Sequence, residues 1–312
     1  MFRGCDNLLS VKLPDSVKSI KSSAFEDCRS LPEIDMSKTR IEEIGMYAFK
    51  NCSALVKIKF STCLNTIDQC AFSQCKLLKD VALKGPLKLI NSFAFENCKS
   101  LAKVDASKGV EKIGRFTFAY CTALDSVELN GTEHIGQYAF FMCKSLKTIT
   151  IPETVSDIEE GCFENCGSLV EINVPEKVNA IHRFCFAGCR MLSKIQLPYG
   201  IEYINQSAFA RSGLEEITVP SSVKKITVAV FGDCKNLKKI TIEGENTEVY
   251  DNAFVQCKVE KENIIATKYQ KKMILKSFKE KYYYMPLMNR SNVGKKYTPP
   301  KKGRVPRPDI IN

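Results

Sequence analysis

Hydrophobic residues recur along this chain in one arrangement that returns every 22 to 24 residues. A phenylalanine lies at the centre of each copy, a branched aliphatic residue precedes it by five positions, and in most copies a leucine follows it by six. A unit of this length buries its apolar side chains only by stacking on its neighbours, so the pattern predicts a solenoid. Its twelve copies are numbered by their phenylalanines: Phe2, Phe25, Phe49, Phe72, Phe95, Phe118, Phe140, Phe163, Phe186, Phe209, Phe231 and Phe254.

Each copy is predicted to contain one strand and one turn. Apolar residues follow the leucine at alternate positions, as in Ile149 and Ile151, which is the pattern of a half-buried strand. The segment around each phenylalanine is expected to form a single helical turn. Copies stacked at about 4.8 Å, the spacing of hydrogen-bonded strands, form an arc on the order of 55 Å long. The predicted fold class is an α/β-type repeat solenoid with a parallel β-sheet on one face and short helical turns opposite.

The chain resembles the BspA-type leucine-rich repeats of bacterial and protist surface proteins in segments such as LKTITIPETVSDIEEGCFENCGSLVEINVPEKVNAIHRFCFAGC. The resemblance extends over residues 1–257 and implies a leucine-rich-repeat arc built from short strands, Pro-containing turns and single helical turns. It also implies adhesion or protein binding, the functions of the family. The matching residues are structural ones, so the resemblance supports the predicted fold more strongly than the predicted function.

Charge divides the chain at the end of the repeats. Residues 1–257 contain 31 Lys+Arg and 31 Asp+Glu, whereas residues 258–312 contain 15 and 4, so this last segment carries the whole excess of +11. Residues 258–282 are predicted to form a capping helix or a basic amphipathic helix, and residues 283–312 a basic Pro-rich tail. The exposed lysines of the helix are expected to be Lys268, Lys272, Lys276 and Lys279.

A basic tail on a neutral solenoid indicates where an anionic partner would bind. The neutral repeats argue against nucleic acid along their face, whereas the tail suits nucleic acid, an acidic protein or a membrane surface. The alternative is a solvated tail that aids solubility. The candidate contacts in the tail are Lys295, Lys296, Lys301, Lys302, Arg304 and Arg307.

Two columns of side chains point outward from the predicted strands. The first alternates in charge between copies, and opposite charges on neighbouring strands contribute only about 0.2 to 1 kcal/mol each. We therefore expect this column to keep the sheet soluble and in register rather than to form a binding site. It reads Ser10, Glu33, Lys57, Asp80, Lys103, Ser126, Thr148, Glu171, Lys194, Glu216 and Lys239.

A second candidate surface lies two residues before the central phenylalanine. In a helical turn this position points away from the core, and a row of exposed aromatic rings is typical of a protein interface. The alternative is that each ring merely covers the neighbouring turn. The candidate partner-binding residues are Tyr47, Phe93, Phe116, Tyr138 and Phe184.

Eleven of the fifteen cysteines share one column, three residues after each phenylalanine, and Ser212 replaces the twelfth. Such cysteines are expected to be buried and reduced, which favours an intracellular, cytoplasmic protein. Four glycosylation sequons leave the cell surface open as an alternative. They begin at Asn51, Asn130, Asn205 and Asn289.

Candidate chemistry is sparse. One cluster suits zinc in its ligand types, but it lacks the tight C-x2-C spacing, so no metal or other cofactor is predicted. The chain has only two histidines and no nucleophile, phosphate-loop or dinucleotide motif, which argues against an enzyme. The zinc cluster would comprise Cys162, Cys166, Cys185, Cys189 and His182.

The function indicated by the sequence is that of a non-catalytic protein–protein interaction scaffold. One alternative is a binder of an anionic partner through the basic tail, and another is a cell-surface adhesion protein. No run of about 18 apolar residues is present, so no transmembrane segment is predicted.

Overall fold

The phenylalanine column forms one continuous stack through the molecule. The computed structural model of the protein describes residues 2–85 and 87–280. From Phe2 to Phe254 each ring lies parallel to the next, with centroids 4.8 to 5.7 Å apart and interplanar angles of 2 to 16°. The rings from Phe49 onward are fully buried. This stack is the centre of a solenoid core, as the repeat predicted.

The aliphatic residue five positions before each phenylalanine belongs to a strand of its own. These strands pair in parallel between successive copies and form ladder 1, with isoleucine opposite isoleucine except at the last pair, Ile226 and Val249. Its first part contains β1 (Ser19–Ile20), β3 (Glu43–Ile44), β5 (Thr66–Ile67), β7 (Leu87–Ile90), β9 (Val110–Ile113), β11 (His134–Ile135) and β13 (Asp157–Ile158). Its second part contains β15 (Ala180–Ile181), β16 (Tyr203–Ile204), β18 (Lys225–Ile226) and β20 (Glu248–Val249).

Strands after the leucine, as predicted, are present in copies 2 to 8, 10 and 11, and with β21 (Ile264–Ile265) of copy 12 they form a second parallel set, ladder 2; within the described residues, no strand follows Leu8 in copy 1 or Leu192 in copy 9. The middle residues of these strands are buried and their flanking residues face outward. The ladder consists of four groups: β2 (Glu33–Asp35) and β4 (Lys57–Lys59); β6 (Asp80–Ala82), β8 (Lys103–Ala106) and β10 (Ser126–Leu129); β12 (Thr148–Ile149) and β14 (Glu171–Ile172); β17 (Glu216–Val219), β19 (Lys239–Ile242) and β21 (Ile264–Ile265). The solenoid thus has two parallel ladders where the sequence predicted a single sheet.

The helical turn predicted around each phenylalanine is not formed. In copy 3, the N–H groups of Tyr47, Phe49 and Asn51 donate to carbonyls of copy 4 at 2.7 to 3.0 Å, instead of to the preceding turn. Tyr47 and Asn51 also have φ of 58° and 60°, in the left-handed region that a right-handed helix excludes. The same alternation recurs in the other copies. Each turn is therefore hydrogen-bonded to the next copy, and these bonds form a third connection, the turn ladder.

The cysteine column links the layers. Cys75 Sγ donates to the carbonyl of Phe49 in the preceding copy, 3.1 Å away. The other column cysteines from Cys28 to Cys257 repeat this contact at 2.9 to 3.2 Å. Cys52 N donates to the same Phe49 carbonyl at 3.2 Å, so both lone pairs of that oxygen are used. Where Ser212 replaces cysteine, its hydroxyl lies 3.3 Å from Cys234 Sγ. The predicted burial of this column is confirmed, except for Cys5 in the first copy.

The end of the described chain differs from the helix predicted over residues 258–282. A short 3-10 turn, Lys261–Asn263, leads into β21, which pairs with β19 and adds one more strand to ladder 2. The helix α1 follows at Lys268–Ser277 and starts with a capping box between Thr267 and Gln270. The helix is shorter than predicted because Ile264 and Ile265 continue the repeat's strand pattern before the helix begins.

Candidate interaction sites

Most side chains of the outward columns of ladder 2 are exposed, as predicted, and several charges pair between neighbouring copies. Lys59 Nζ lies 2.6 Å from Asp35 Oδ2, and Lys194 Nζ lies 3.1 Å from Glu216 Oε1. The hydrogen bonds from Lys59 and Ser37 hold the pKa of Asp35 far below its usual range. These contacts agree with the structural role expected for the columns.

The backbone pairing of ladder 2 is interrupted between copies 6 and 7. Strand β10 pairs with β8, and β12 pairs with β14, but β10 and β12 belong to different sheets. Strand β12 is short because Ile151, just beyond it, forms its backbone bonds with a side chain: Asn173 Oδ1 accepts from Ile151 N at 2.7 Å, and Asn173 Nδ2 donates to Ile151 O at 2.8 Å. A cleft of about 430 Å³ lies between these two neighbouring, unpaired strands.

The lining of this central cleft is acidic and hydroxylated. It is formed by residues 125–131 of copy 6 and residues 148–154 of copy 7, apart from Ile151, and contains Asp125, Glu128, Glu153, Thr148 and Thr150. Among the described residues that line it, none is Lys or Arg. Glu128 has a cation nearby, since its Oε1 lies 3.6 Å from Lys103 Nζ. Neither Asp125 nor Glu153 forms an ion pair with any described residue, so the cleft can receive a cationic group.

The predicted row of exposed aromatic residues is wrong for three of its five members. Phe116, Tyr138 and Phe184 are only 8%, 3% and 3% exposed, while Tyr47 and Phe93 are half-buried. Because the turn is not helical, the ring two positions before the central phenylalanine does not point into solvent. Whether any of the five contacts a partner stays a prediction.

The rings of copies 5 to 7 form a small apolar cluster of their own on the turn side. Phe93 stacks on Phe116 at 5.2 Å, and Phe116 stacks on Tyr138 at 4.9 Å. Phe141 meets Tyr138 edge-on at 6.0 Å. The Tyr138 ring then lies against Gly161 of copy 8, where no side chain fits, and its hydroxyl donates to Glu160 Oε1 at 2.6 Å. Each ring thus covers the neighbouring turn, which was the alternative interpretation of this row.

The four lysines predicted at the C-terminal helix are all exposed. Lys268, Lys272 and Lys276 follow one face of α1, and Lys279 comes just after the helix. Lys276 Nζ is bonded to Asp251 Oδ2 at 2.9 Å. The tail candidates Lys295, Lys296, Lys301, Lys302, Arg304 and Arg307 lie outside the described residues.

The two histidines and the four cysteines of the candidate zinc cluster do not form a metal site. Within residues 2–85 and 87–280, no group of three or more His, Cys, Asp or Glu side chains is arranged to hold a metal ion. His182 instead pairs with Asp157, with Nε2 and Oδ1 2.9 Å apart, and this contact holds the pKa of His182 above its ordinary value. Burial raises the pKa values of the Cys162, Cys166, Cys185 and Cys189 thiols.

Sequence reasoning missed the central cleft and two exposed apolar residues near the helix. Ile265 and Tyr269 are 53% and 64% exposed. A helical wheel begun at Lys268 would have placed Tyr269 beside the lysines. The cleft has no such signal, because it arises from the absence of pairing between β10 and β12.

Comparisons with known proteins bear on the fold and the family. The family model described as "BspA type Leucine rich repeat region (6 copies)" matches residues 1–125, 111–237 and 168–281. No curated protein sequence matches the chain closely enough to indicate a function. The part of the chain that the structure describes has no helix with the length and apolar character of a bilayer span.

Several solved structures are similar to this one. A leucine-rich repeat protein from Bacteroides ovatus is 25% identical, with a TM-score of 0.59 over 84% of this chain and 72% of that one. A leucine-rich repeat protein from T. pallidum is 27% identical, with a TM-score of 0.43 over 58% and 76%. A leucine-rich cell surface protein from Faecalibacterium prausnitzii is 25% identical, with a TM-score of 0.37 over 73% and 83%. The first of these supports the parallel-strand solenoid.

Proposed function

The chain belongs to the BspA-type leucine-rich repeat family, and on that premise we propose that it is a non-catalytic scaffold for protein–protein interaction, with its partner anchored in the central cleft. Leucine-rich repeat proteins generally bind other proteins, and their folds are generally not enzymatic. Stacking, capping or pairing within the solenoid explains nearly every conspicuous side chain of the repeats. The cleft between copies 6 and 7 is an exception.

The observation that carries this proposal is the charge of the cleft. Asp125 and Glu153 have no ion pair with another described residue, in contrast to Asp35 and Glu216 elsewhere on ladder 2. Two carboxylates beside threonine hydroxyls suit a Lys or Arg side chain, whose N–H groups donate to both kinds of oxygen. The proposed partner therefore presents a basic side chain from an exposed segment.

A bulky substitution tests this location. Thr150→Trp fills the cleft, whereas Thr218→Trp adds the same bulk at the equivalent outward position of copy 10, on β17, which pairs with β19 away from the cleft. With both variants and the unchanged protein as baits, affinity capture and mass spectrometry should yield a partner that only Thr150→Trp loses. A partner retained equally by both variants would place the contact elsewhere.

A second candidate function is the binding of an anionic partner through the C-terminal lysines and the tail. The observation that favours it is the exposure of Lys268, Lys272 and Lys279, without an ion pair to any described residue, next to a segment with 15 basic and 4 acidic residues. If this charge contacts phosphates, binding falls steeply with added salt.

Charge removal in the tail tests the second candidate. Changing the tail residues to Gln should weaken retention on heparin or RNA, and each lost phosphate contact should lower the log-log salt slope by about 0.7 to 0.9. The residues are Lys295, Lys296, Lys301, Lys302, Arg304 and Arg307. Unchanged retention would leave a solubilising role for the tail.

A further inference from the structure

The C-terminal end of the solenoid presents a surface that is both apolar and basic. Ile265 and Tyr269, 53% and 64% exposed, lie next in the chain to the exposed Lys268 and Lys272. On a helix, positions 268, 269 and 272 fall within about 100° of one another, so Tyr269 shares a face with the two lysines. Ile265 ends β21, three residues before the helix, and together Ile265, Lys268, Tyr269 and Lys272 make up the C-terminal surface.

The packing of α1 fixes Lys268, Tyr269 and Lys272 toward solvent. The opposite side of the helix buries Gln270, Ile274 and Ser277 against the last copy. Gln270 Nε2 donates to the carbonyls of Gly244 and Thr247 at 2.8 and 3.0 Å, and Lys276 is bonded to Asp251. The helix therefore cannot turn its lysines inward without breaking buried hydrogen bonds.

We propose that the C-terminal surface docks on an anionic lipid bilayer. The inference rests on the second candidate function and names its partner. Lysines near a negatively charged membrane are attracted to it, and aliphatic and aromatic side chains between them enter the interface. A nucleic acid accounts for the lysines and for stacking on Tyr269, but gives the exposed aliphatic Ile265 no apolar environment. A bilayer suits all four residues.

The sequence that follows has the same mixed character. Residues 282–288 read YYYMPLM, and the basic run of the tail comes after them. Tyrosine is enriched at membrane interfaces because its ring is apolar and its hydroxyl stays hydrated. Apolar and basic groups are thus neighbours along the chain both in the C-terminal surface and immediately beyond it.

The test uses the full chain and co-sedimentation with vesicles of equal parts phosphatidylcholine and phosphatidylserine. Pure phosphatidylcholine vesicles supply the neutral comparison. Loss of one lysine near the surface is worth about fivefold in partitioning, so Lys268→Gln with Lys272→Gln should weaken binding about 25-fold. Ile265→Ser with Tyr269→Ser should also weaken binding, at unchanged melting temperature, because both side chains are exposed in the free protein.

Two matched control variants separate a local surface from general charge and hydrophobicity. Lys144→Gln with Lys147→Gln removes two exposed lysines elsewhere, and Met191→Ser with Tyr199→Ser removes two exposed apolar side chains. Both controls should bind the anionic vesicles as the unchanged protein does. Controls that weaken binding as much as the C-terminal variants would overturn the proposal.

The outcomes also distinguish this proposal from the function on which it rests. Absence of binding to anionic vesicles, with retention on RNA or heparin, overturns the bilayer and leaves the anionic-partner function intact. Loss of vesicle binding in the lysine variant but not in the Ile265/Tyr269 variant overturns the role of the apolar side chains, because charge attraction alone then accounts for the binding. Absence of binding to vesicles, RNA and heparin contradicts both the bilayer proposal and the anionic-partner function. Binding that requires both pairs and phosphatidylserine supports the bilayer.

Discussion

Cys98 Sγ donates a hydrogen bond to the carbonyl oxygen of Phe72, 3.2 Å away in the preceding copy. The same bond recurs along the column, so a thiol in one layer fixes the backbone beneath the central ring of the layer before it. This contact requires a small side chain with a weak donor, a role that cysteine fills and alanine does not. The column therefore does more than fill space.

The thiols should be inert in the native protein. Thirteen of the fifteen cysteines are buried, and burial raises the pKa of Cys52 to about 12, so the reactive thiolate form is scarce. Ellman's reagent should react rapidly only with Cys5 and Cys63 in the folded chain, and with all fifteen after denaturation. A shortfall in the denatured protein that reductant restores would reveal disulfides and favour the cell surface over the predicted intracellular location.

Removal of a central ring should be strongly destabilising. Phe163→Ala deletes a fully buried ring that stacks on Phe140 and Phe186, and is expected to cost about 3 to 5 kcal/mol of unfolding free energy. Lys103→Ala on the exposed face of β8 should change it by less than about 0.5 kcal/mol. Urea denaturation measures both, and comparable midpoints would contradict the layered core.

The aromatic row should respond as a packed cluster. Phe116→Ala removes a ring that stacks on both Phe93 and Tyr138, and should lower stability by about 1.5 to 3 kcal/mol. Tyr47→Ala, at the same position of a copy where the ring is half-buried, should cost less. The original interface interpretation would be favoured instead if Phe116→Ala abolished partner capture at an unchanged melting temperature.

The pair between His182 and Asp157 should make stability depend on pH. The pKa of His182 is raised by the hydrogen bond to Asp157, against the opposing effect of burial, with further contributions from the charges of Asp157, Glu159 and Glu160. A raised folded pKa means that the stabilisation is fully present below the unfolded pKa of about 6.5 and is lost as pH rises through the folded value. Both side chains are over a third exposed, so the effect should stay below about 1 kcal/mol.

Chemical denaturation between about pH 5.5 and 8.5 checks this expectation. The stability difference between the unchanged protein and His182→Gln should shrink as pH rises. His134 pairs separately with Glu159, so the pH dependence of this stability difference should be the same when His134 is replaced by Gln in both proteins. A difference that grows with pH would contradict the assigned direction.

The sequence predicted the core well because each buried column repeats one residue type at one spacing. The Ile20, Phe25 and Cys28 columns are buried as expected from copy 2 onward. Ladder 1 was missed because β1 and most of its partners are only two residues long, too short to show alternation. The turn was mispredicted because Tyr47 adopts a positive φ that bulky residues rarely show, and only hydrogen bonding to the next copy maintains it.

The candidate sites were less predictable for a related reason. A binding surface depends on which neighbouring strands lack pairing and which carboxylates lack an ion pair, and a repeating pattern conceals both. Asp125 and Glu153 look like ordinary surface carboxylates until the lack of pairing between β10 and β12 is known. Lys268 and Lys272 were identified correctly as exposed because helical spacing alone determines their common face.

The interruption of both strand ladders between copies 8 and 9 has a consequence for cooperativity. Strands β13 and β15 belong to separate sheets, and β14 has no strand partner in copy 9. The junction is held by the turn ladder, the Phe163–Phe186 stack, the Cys189–Phe163 bond and the side-chain core, without a strand ladder. In a linear array, unfolding is all-or-none only while every nearest-neighbour coupling is strong. The chain should therefore melt as two blocks that meet at this junction, giving a calorimetric enthalpy larger than the van't Hoff value.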